Sequence, residues 1–179
     1  MKFQPNQKIL AACLIVCSIA CNSHSDTSAT TATIPAEQKY SGPTNKDVYD
    51  AINNSNWTKL DSLISKDAVD HSPMGVINSL DSIKAMLKEF KAGFPDLKME
   101  AMDEAIAGDI IFTRYHWTGT NTGMMNGMPG TNKKVEVTGV DLSRTKDGKL
   151  VEHWDYSDNL SFYKQLGVDP LAPPPSKKK

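Results

Sequence analysis

The sequence predicts an α+β fold, and three observations carry that prediction. Between Thr44 and Phe90 the apolar residues recur at three- and four-residue spacing, the mark of helices that bury one face. From Leu97 onward the period shortens to the alternation of strands. Two turn signals, Gly108-Asp109 and Asp147-Gly148, divide that second half into hairpins. Helices first and an antiparallel sheet after is the α+β order.

Thr44 is placed to cap the first helix, with Asp47 three residues on as its capping-box partner and Val48, Tyr49 and Ile52 as its apolar stripe. Asn53-Asn54-Ser55-Asn56 breaks the stripe, and Trp57, Leu60, Leu63 and Ile64 predict a short second helix. The stretch 65–75 reads as a loop holding Asp70-His71-Ser72-Pro73. Asn78 or Ser79 caps a third helix, whose buried face is Leu80, Ile83, Met86, Leu87 and Phe90. Strands are expected over 97–107 and 110–120, followed by a glycine- and methionine-rich loop and then a hairpin over 133–163. A short helical turn over 158–167 tucks in Leu160, Phe162 and Leu166.

The N-terminal region reads as targeting sequence. Lys2 and Lys8 precede an apolar run, Ile9–Ala20, too short to span a bilayer as a mature helix. The run ends in Ser18-Ile19-Ala20-Cys21, which resembles a bacterial lipobox, so residues 1–20 are expected to be a lipoprotein signal peptide and Cys21 the lipid anchor. Ordinary secretion is the alternative. Residues 21–43, rich in Ser, Thr and Ala, form a tether, residues 44–168 the domain, and residues 169–179 a tail. The expected location is that of an exported lipoprotein, anchored to a membrane on the periplasmic side or the cell surface.

Composition excludes several classes of function. The net charge is −1 with no basic stripe, which gives nucleic acid little to hold. All three cysteines, Cys13, Cys17 and Cys21, fall in the targeting region, so the domain has neither a disulfide framework nor thiol chemistry. The four histidines show no metal-ligand spacing, and no glycine-rich phosphate loop or nucleophile elbow is present. No metal and no cofactor are expected.

The hairpin around Asp147-Gly148 carries two acids, Asp141 and Asp155. If Lys146-Asp147-Gly148 form a three-residue loop, Asp141 faces His153, and Asp141 and Asp155 are diagonal neighbours on one face. If Asp147-Gly148 is a two-residue turn, the parity flips and the acids point to opposite faces. The first register is preferred here. Val140, Leu142, Leu150, Trp154 and Tyr156 make the other, more apolar face, which would need cover, for instance from a second subunit's sheet.

Asp70-His71-x-Pro73, Phe94-Pro95-Asp96-Leu97, Gly119-Thr120-Asn121-Thr122-Gly123, Gly139-Val140-Asp141 and Asp147-Gly148-Lys149-x-Val151-Glu152-His153-Trp154 together resemble the SnoaL-like polyketide cyclases of the nuclear-transport-factor-2-like superfamily. The resemblance spans about 44–168. It implies a cone-shaped α+β barrel, three N-terminal helices packed in a strongly bent, mostly antiparallel sheet, with a pocket in the cone. It also implies that Asp155 is the general acid/base of an aldol-type ring closure. Asp141 stands where the family usually has a second pocket histidine, Asn121 also stands in place of a histidine, and His71 falls at the pocket rim. Both departures bear on the activity and leave the fold untouched.

Acid/base chemistry beside a carbonyl needs a base within reach of an acidic C–H, and a carboxylate serves best when burial or a like charge raises its pKa. Asp141 near Asp155 supplies such a like charge, and His153 opposite Asp141 would instead hold that acid ionised. Polar residues alternating on a solvated sheet face are the plainer reading of the same pattern. On the second strand one pair of Arg114/His116 and Tyr115/Trp117 faces in, and Tyr115 and Trp117 are candidate walls for substrate. Met125 and Met128 are candidates for an adaptable lid. The expected function is a small cofactor-free cyclase of the ester cyclase type. Its substrate would be a mostly apolar small molecule, and its candidate site Asp155, Asp141, His71, His153, Tyr115, Trp117, Asn121, Met125 and Met128. A non-catalytic ligand-binding lipoprotein on the same fold is the alternative, and a homodimer through the sheet face is possible in either case.

Overall fold

The computed structural model describes residues 40–72, 75–125 and 127–168. The expected signal peptide, the anchor Cys21, most of the tether and all of the tail lie outside the described residues. Ten elements follow one another: α1 (Asn45–Asn53), α2 (Leu60–Leu63), β1 (Ile64–Ser72), β2 (Gly75–Asn78), α3 (Leu80–Gly93), β3 (Lys98–Ala107), β4 (Ile110–Thr120), β5 (Lys134–Lys146), β6 (Lys149–Ser157) and α4 (Asn159–Leu166). The six strands form one sheet in the order β2-β1-β6-β5-β4-β3. Every neighbouring pair is antiparallel except β1 with β6. The edges β2 and β3 do not pair with each other, so the cone is an open sheet rather than a closed barrel.

Local signals account for much of this. Thr44 and Asp47 form the capping box of α1, and the Asp47 carboxylate accepts the Thr44 amide at 2.9 Å. Ser79, not Asn78, caps α3. The core falls into two clusters. One gathers Phe94, Trp117, Phe162 and Leu166 under β4 and β5, and the other gathers Leu60, Ile83, Ile111 and Leu150 near α2 and α3. Phe90, Phe94, Trp117 and Phe162 meet edge-on or tilted at 5.2–6.0 Å, the geometry that ring quadrupoles favour. Leu160, expected in the core, is exposed, because α4 turns only Phe162 and Leu166 inward.

Two expectations are corrected. The stretch read as a loop over 65–75 is mostly strand: β1 runs to Ser72 and pairs with β6 and β2. Its polar composition, Ser65-Lys66-Asp67 followed by Asp70-His71-Ser72, hid a strand that long-range pairing holds in place. The second correction concerns the hairpin. Lys146 pairs with Lys149, so the turn is the two-residue Asp147-Gly148, with φ of 51° and 74° as the left-handed hairpin turn requires.

That turn alone would have separated the two acids. It does not, because the register shifts between Arg144, which pairs with Glu152, and Thr145, which pairs with Leu150. Val151 is therefore an extra residue on β6, a bulge that reverses the parity once more. Asp141 directly faces Asp155, and His153 faces Ser143. The same bulge sends Leu150 into the core while Val140, Leu142, Trp154 and Tyr156 stay on the outer face.

Candidate functional site

The inner face of β4, β5 and β6 floors a cavity of about 230 Å³, roofed by α1 and α3. Ile52, Met86, Leu87, Phe90, Met99, Trp117, Met125 and Val137 are its apolar walls. Tyr115, Asp70, Asp141, His153, Asp155 and Ser157 are its polar floor. A second space of about 100 Å³ adjoins the same floor and shares Asp70, Asp141 and His153 with the first. Tyr115 and Trp117 are thus the inward pair of β4, and Arg114 faces out with His116.

The polar groups form two neighbouring sets drawn from five elements, α1, β1, β4, β5 and β6. Asp141 accepts from the Tyr49 hydroxyl at 2.5 Å, and its other oxygen lies 3.3 Å from Nε2 of His153. Nδ1 of His153 lies 2.8 Å from Oδ2 of Asp70. Asp155 accepts from the Tyr115 hydroxyl at 2.7 Å and from the Ser157 hydroxyl at 2.8 Å. Helix α1 sets the Tyr49 end. Asn45, one turn earlier, gives Nδ2–H to Thr113 at 3.0 Å and accepts from Ser143 at 2.6 Å, which pins the helix to β4 and β5. The Tyr115 end depends on Gly139, directly across the ladder: any Cβ there would collide with the Tyr115 hydroxyl.

The electrostatics follow from burial and these neighbours. Burial raises the Asp155 pKa, and the charge of Asp141 raises it further, against lowering by the Tyr115 and Ser157 hydrogen bonds and by His153. For His153 burial works against the charge, but Asp141 and Asp70 on either side overcome it and push the imidazole up to about 10. Both Tyr49 and Tyr115 are pushed above the ordinary phenol range, first by burial and then by Asp141 and Asp155 respectively. They stay protonated and act as donors. The result is a fixed imidazolium between two aspartates, beside a carboxyl group that resists ionisation.

The other sequence candidates lie elsewhere. His71 points to the outer face, where it stacks on Trp154 at 5.0 Å and lies 3.0 Å from Glu152. Asn121 is buried but spends its groups on backbone and side chain: Nδ2–H goes to the Gly93 and Gly123 carbonyls, and Oδ1 accepts from the Thr131 amide and hydroxyl. It clamps the loop instead of lining the cavity. Met125 is a buried wall residue bridged to Met128, and Met128 itself is exposed. Asp70, Tyr49 and Ser157 join the site without having been singled out for it. Tyr49 was legible only as part of an apolar stripe, although a buried tyrosine needs a partner for its hydroxyl.

An open α+β sheet wrapped around helices, with titratable side chains at the bottom of an apolar cavity, is the architecture of a small-molecule pocket. Residues 45–166 match the family described as SnoaL-like polyketide cyclase, and the chain belongs to that family. It is similar to the aklanonic acid methyl ester cyclase DauD of Streptomyces sp. (strain C5), 25% identical over 128 residues covering 66% of this chain and 78% of that protein. It is also similar to the aklanonic acid methyl ester cyclase DnrD of Streptomyces peucetius, 27% identical over 101 residues covering 56% of this chain and 68% of that protein. Among solved structures, wild-type IdmH of Streptomyces antibioticus superposes with a TM-score of 0.61 at 33% identity, over 68% of this chain and 94% of its own. These relatives support a cyclase role.

Proposed function

We propose that the chain performs acid/base chemistry next to a carbonyl, with Asp155 as the group that moves the proton. The observation that supports this most is the position of Asp155 in the cavity floor, directly across the ladder from Asp141 and held by Tyr115 and Ser157. An ionised Asp155 takes a proton from an acidic C–H. The resulting enolate carbon attacks a second carbonyl of the same molecule, and Asp155 returns the proton to the new alkoxide. The positive charge of His153, fixed by Asp70 and Asp141, offsets the negative charge that develops on oxygen. The substrate is a mostly apolar small molecule, matching the walls of the cavity.

Proton removal can be read without knowing the natural substrate. Deuterium exchange at the acidic C–H of an apolar β-keto ester is expected to speed up with the wild-type protein and to return to the buffer rate with Asp155→Asn. Aklanonic acid methyl ester, the compound in the names of both relatives, is the first candidate for ring closure. Binding without Asp155-dependent exchange would favour the ligand-binding alternative.

The exported, lipid-anchored state is part of the same proposal, with Cys21 as the acylated residue; labelled palmitate entering the wild type but not Cys21→Ser would support it. The outer sheet face exposes Phe112, Val140 and Tyr156 on adjacent strands, which suits a homodimer. Sedimentation should then show a dimer that Tyr156→Asp weakens.

A further inference from the structure

The cavity has a second chamber. Beside the space of about 230 Å³ lies the smaller one of about 100 Å³, and the two share Ile52, Leu87, Met99, Asp141 and His153 among their walls. Asp155 lines only the larger space. The shared residues therefore form a waist, with Asp155 on one side of it and the second chamber on the other.

The chambers differ in what they present. Phe90, Trp117, Met86 and Met125 give the larger one aromatic and thioether walls. The smaller is walled by Val48, Ile64, Ala68, Ile83 and Leu150, contributed by α1, β1, α3 and β6. All five are aliphatic, and all but Val48 are buried. Asn45 and Ser143, which also line it, are hydrogen-bonded to each other at 2.6 Å, and Asn45 donates to Thr113 as well. Recognition there rests on shape and carbon count. Protein interiors hold few voids larger than a water molecule, and an empty one is costly. A void of this size, sharing the walls of a binding cavity, is complementary to part of a ligand.

Benzene, with six carbons, fills an apolar cavity of about 150 Å³, or about 25 Å³ per carbon. On that scale the smaller chamber takes about four carbons and the larger about nine. We propose that the cavity takes an aryl ketone carrying a short branched alkyl arm of about four carbons. The ring lies against Trp117 and Phe90, the carbonyl sits at the waist near Asp155 and His153, and the arm fills the chamber walled by Ala68, Ile83 and Leu150. This names the substrate class of the proposed function. It rests on the cavity being the site, though not on Asp155 moving a proton there.

The test is a series of phenyl ketones with methyl, ethyl, propyl, isobutyl and hexyl arms, titrated against the full chain by NMR. Each carbon added up to isobutyl is expected to tighten binding about two- to fourfold, so that the isobutyl ketone binds about tenfold or more tightly than the methyl ketone. The hexyl ketone should bind no more tightly than the isobutyl. In Ala68→Leu, which fills the smaller chamber, the isobutyl-to-methyl ratio should fall to about twofold or less. If that variant does not fold, Ala68→Val, which takes up less of the space, should move the plateau to the propyl arm or shorter. A wild-type series that stays flat, or that keeps climbing through hexyl, overturns the inference. So does an undiminished isobutyl preference in a folded Ala68→Leu. An Ala68-dependent arm preference without Asp155-dependent exchange keeps this inference and removes the proposed chemistry; the converse pattern does the reverse.

Discussion

Both faces of the sheet carry histidine–carboxylate pairs of nearly the same length, and they differ in what surrounds them. On the inner face His153 lies 2.8 Å from Asp70 and 3.3 Å from Asp141, whose side chains are only 8% and 7% exposed. On the outer face His71 lies 3.0 Å from Glu152 and His116 2.9 Å from Glu136, with 30% and 71% of those carboxylate side chains exposed. Distance alone therefore says little. The histidines are about equally exposed, 29% for His153 against 32% and 22% for His71 and His116, so the carboxylates make the difference. Where they leave water the pair becomes expensive to break, and where they stay wet solvent does most of the stabilising. The inner pairs set a chemistry, and the outer ones decorate a surface.

The largest effect should come from the inner face. Asp155→Asn is expected to lower turnover, or C–H exchange, by about 10²–10⁴-fold while leaving the far-UV circular dichroism unchanged. Because burial and Asp141 hold the Asp155 pKa above its unfolded value, its ionisation costs stability as pH rises through that window. The same variant should then be as stable as the wild type at neutral pH or more so, measured by urea unfolding. An active site that trades stability for function behaves in this way.

Next in size is the removal of one clamp on His153. Asp141→Asn leaves a charged ring with one carboxylate, and should cost about 2–4 kcal/mol, below the full cost of a broken buried pair because the His153 side chain is still 29% exposed. Its imidazole resonance should titrate at lower pH than in the wild type. The sign is fixed by the raised pKa: stability from this cluster is fully present below about pH 6.5 and is lost as the pH rises through about 10. Urea midpoints across that window check it, and a rise in stability toward pH 10 would contradict the clamp.

Gly139→Ala should fall between the two faces. The added methyl pushes the Tyr115 hydroxyl away from Asp155, and overpacking of this kind costs about 1–3 kcal/mol. Exchange activity should drop with it, whereas a neutral result would mean that Tyr115 has room to spare. The smallest effect is expected for Glu152→Gln on the outer face, under about 1 kcal/mol and without change in activity, even though it touches His71 and Arg144. An effect as large as that of Asp141→Asn would erase the contrast between the faces.

The parts of the fold that were legible in the sequence are those written locally. Thr44 with Asp47, Ser79 before Leu80 and Asp147-Gly148 act within a few residues and stand in the structure as read, apart from the length of the turn. β1 was illegible because its composition is polar and its nearby partner β2 is only four residues long: its other partner, β6, lies some eighty residues on, and its inward residues are as polar as Asp70. The facing of Asp141 and Asp155 was expected from a three-residue loop and arises instead from a two-residue turn plus a bulge at Val151. A bulge at a valine leaves no trace in composition, so the expected shared face was reached by a different register. Tyr49 and Asn45 looked like ordinary members of a helix face, and only the packing of α1 on β4 and β5 shows what their polar atoms do. His71 went the other way, since the resemblance placed it at the pocket rim and the alternation of β1 turns it out beside Trp154.

The account stands on Asp155 being a sheltered carboxyl whose pKa is raised by burial and by Asp141. Carbon-13 NMR of the aspartate carboxyls, followed across pH in the wild type and in Asp141→Asn, reads this directly. The prediction is that the Asp155 signal titrates above the ordinary value of 3.8 and moves down when Asp141 loses its charge. An Asp155 that titrates at or below that value, and ignores the substitution, would contradict the account.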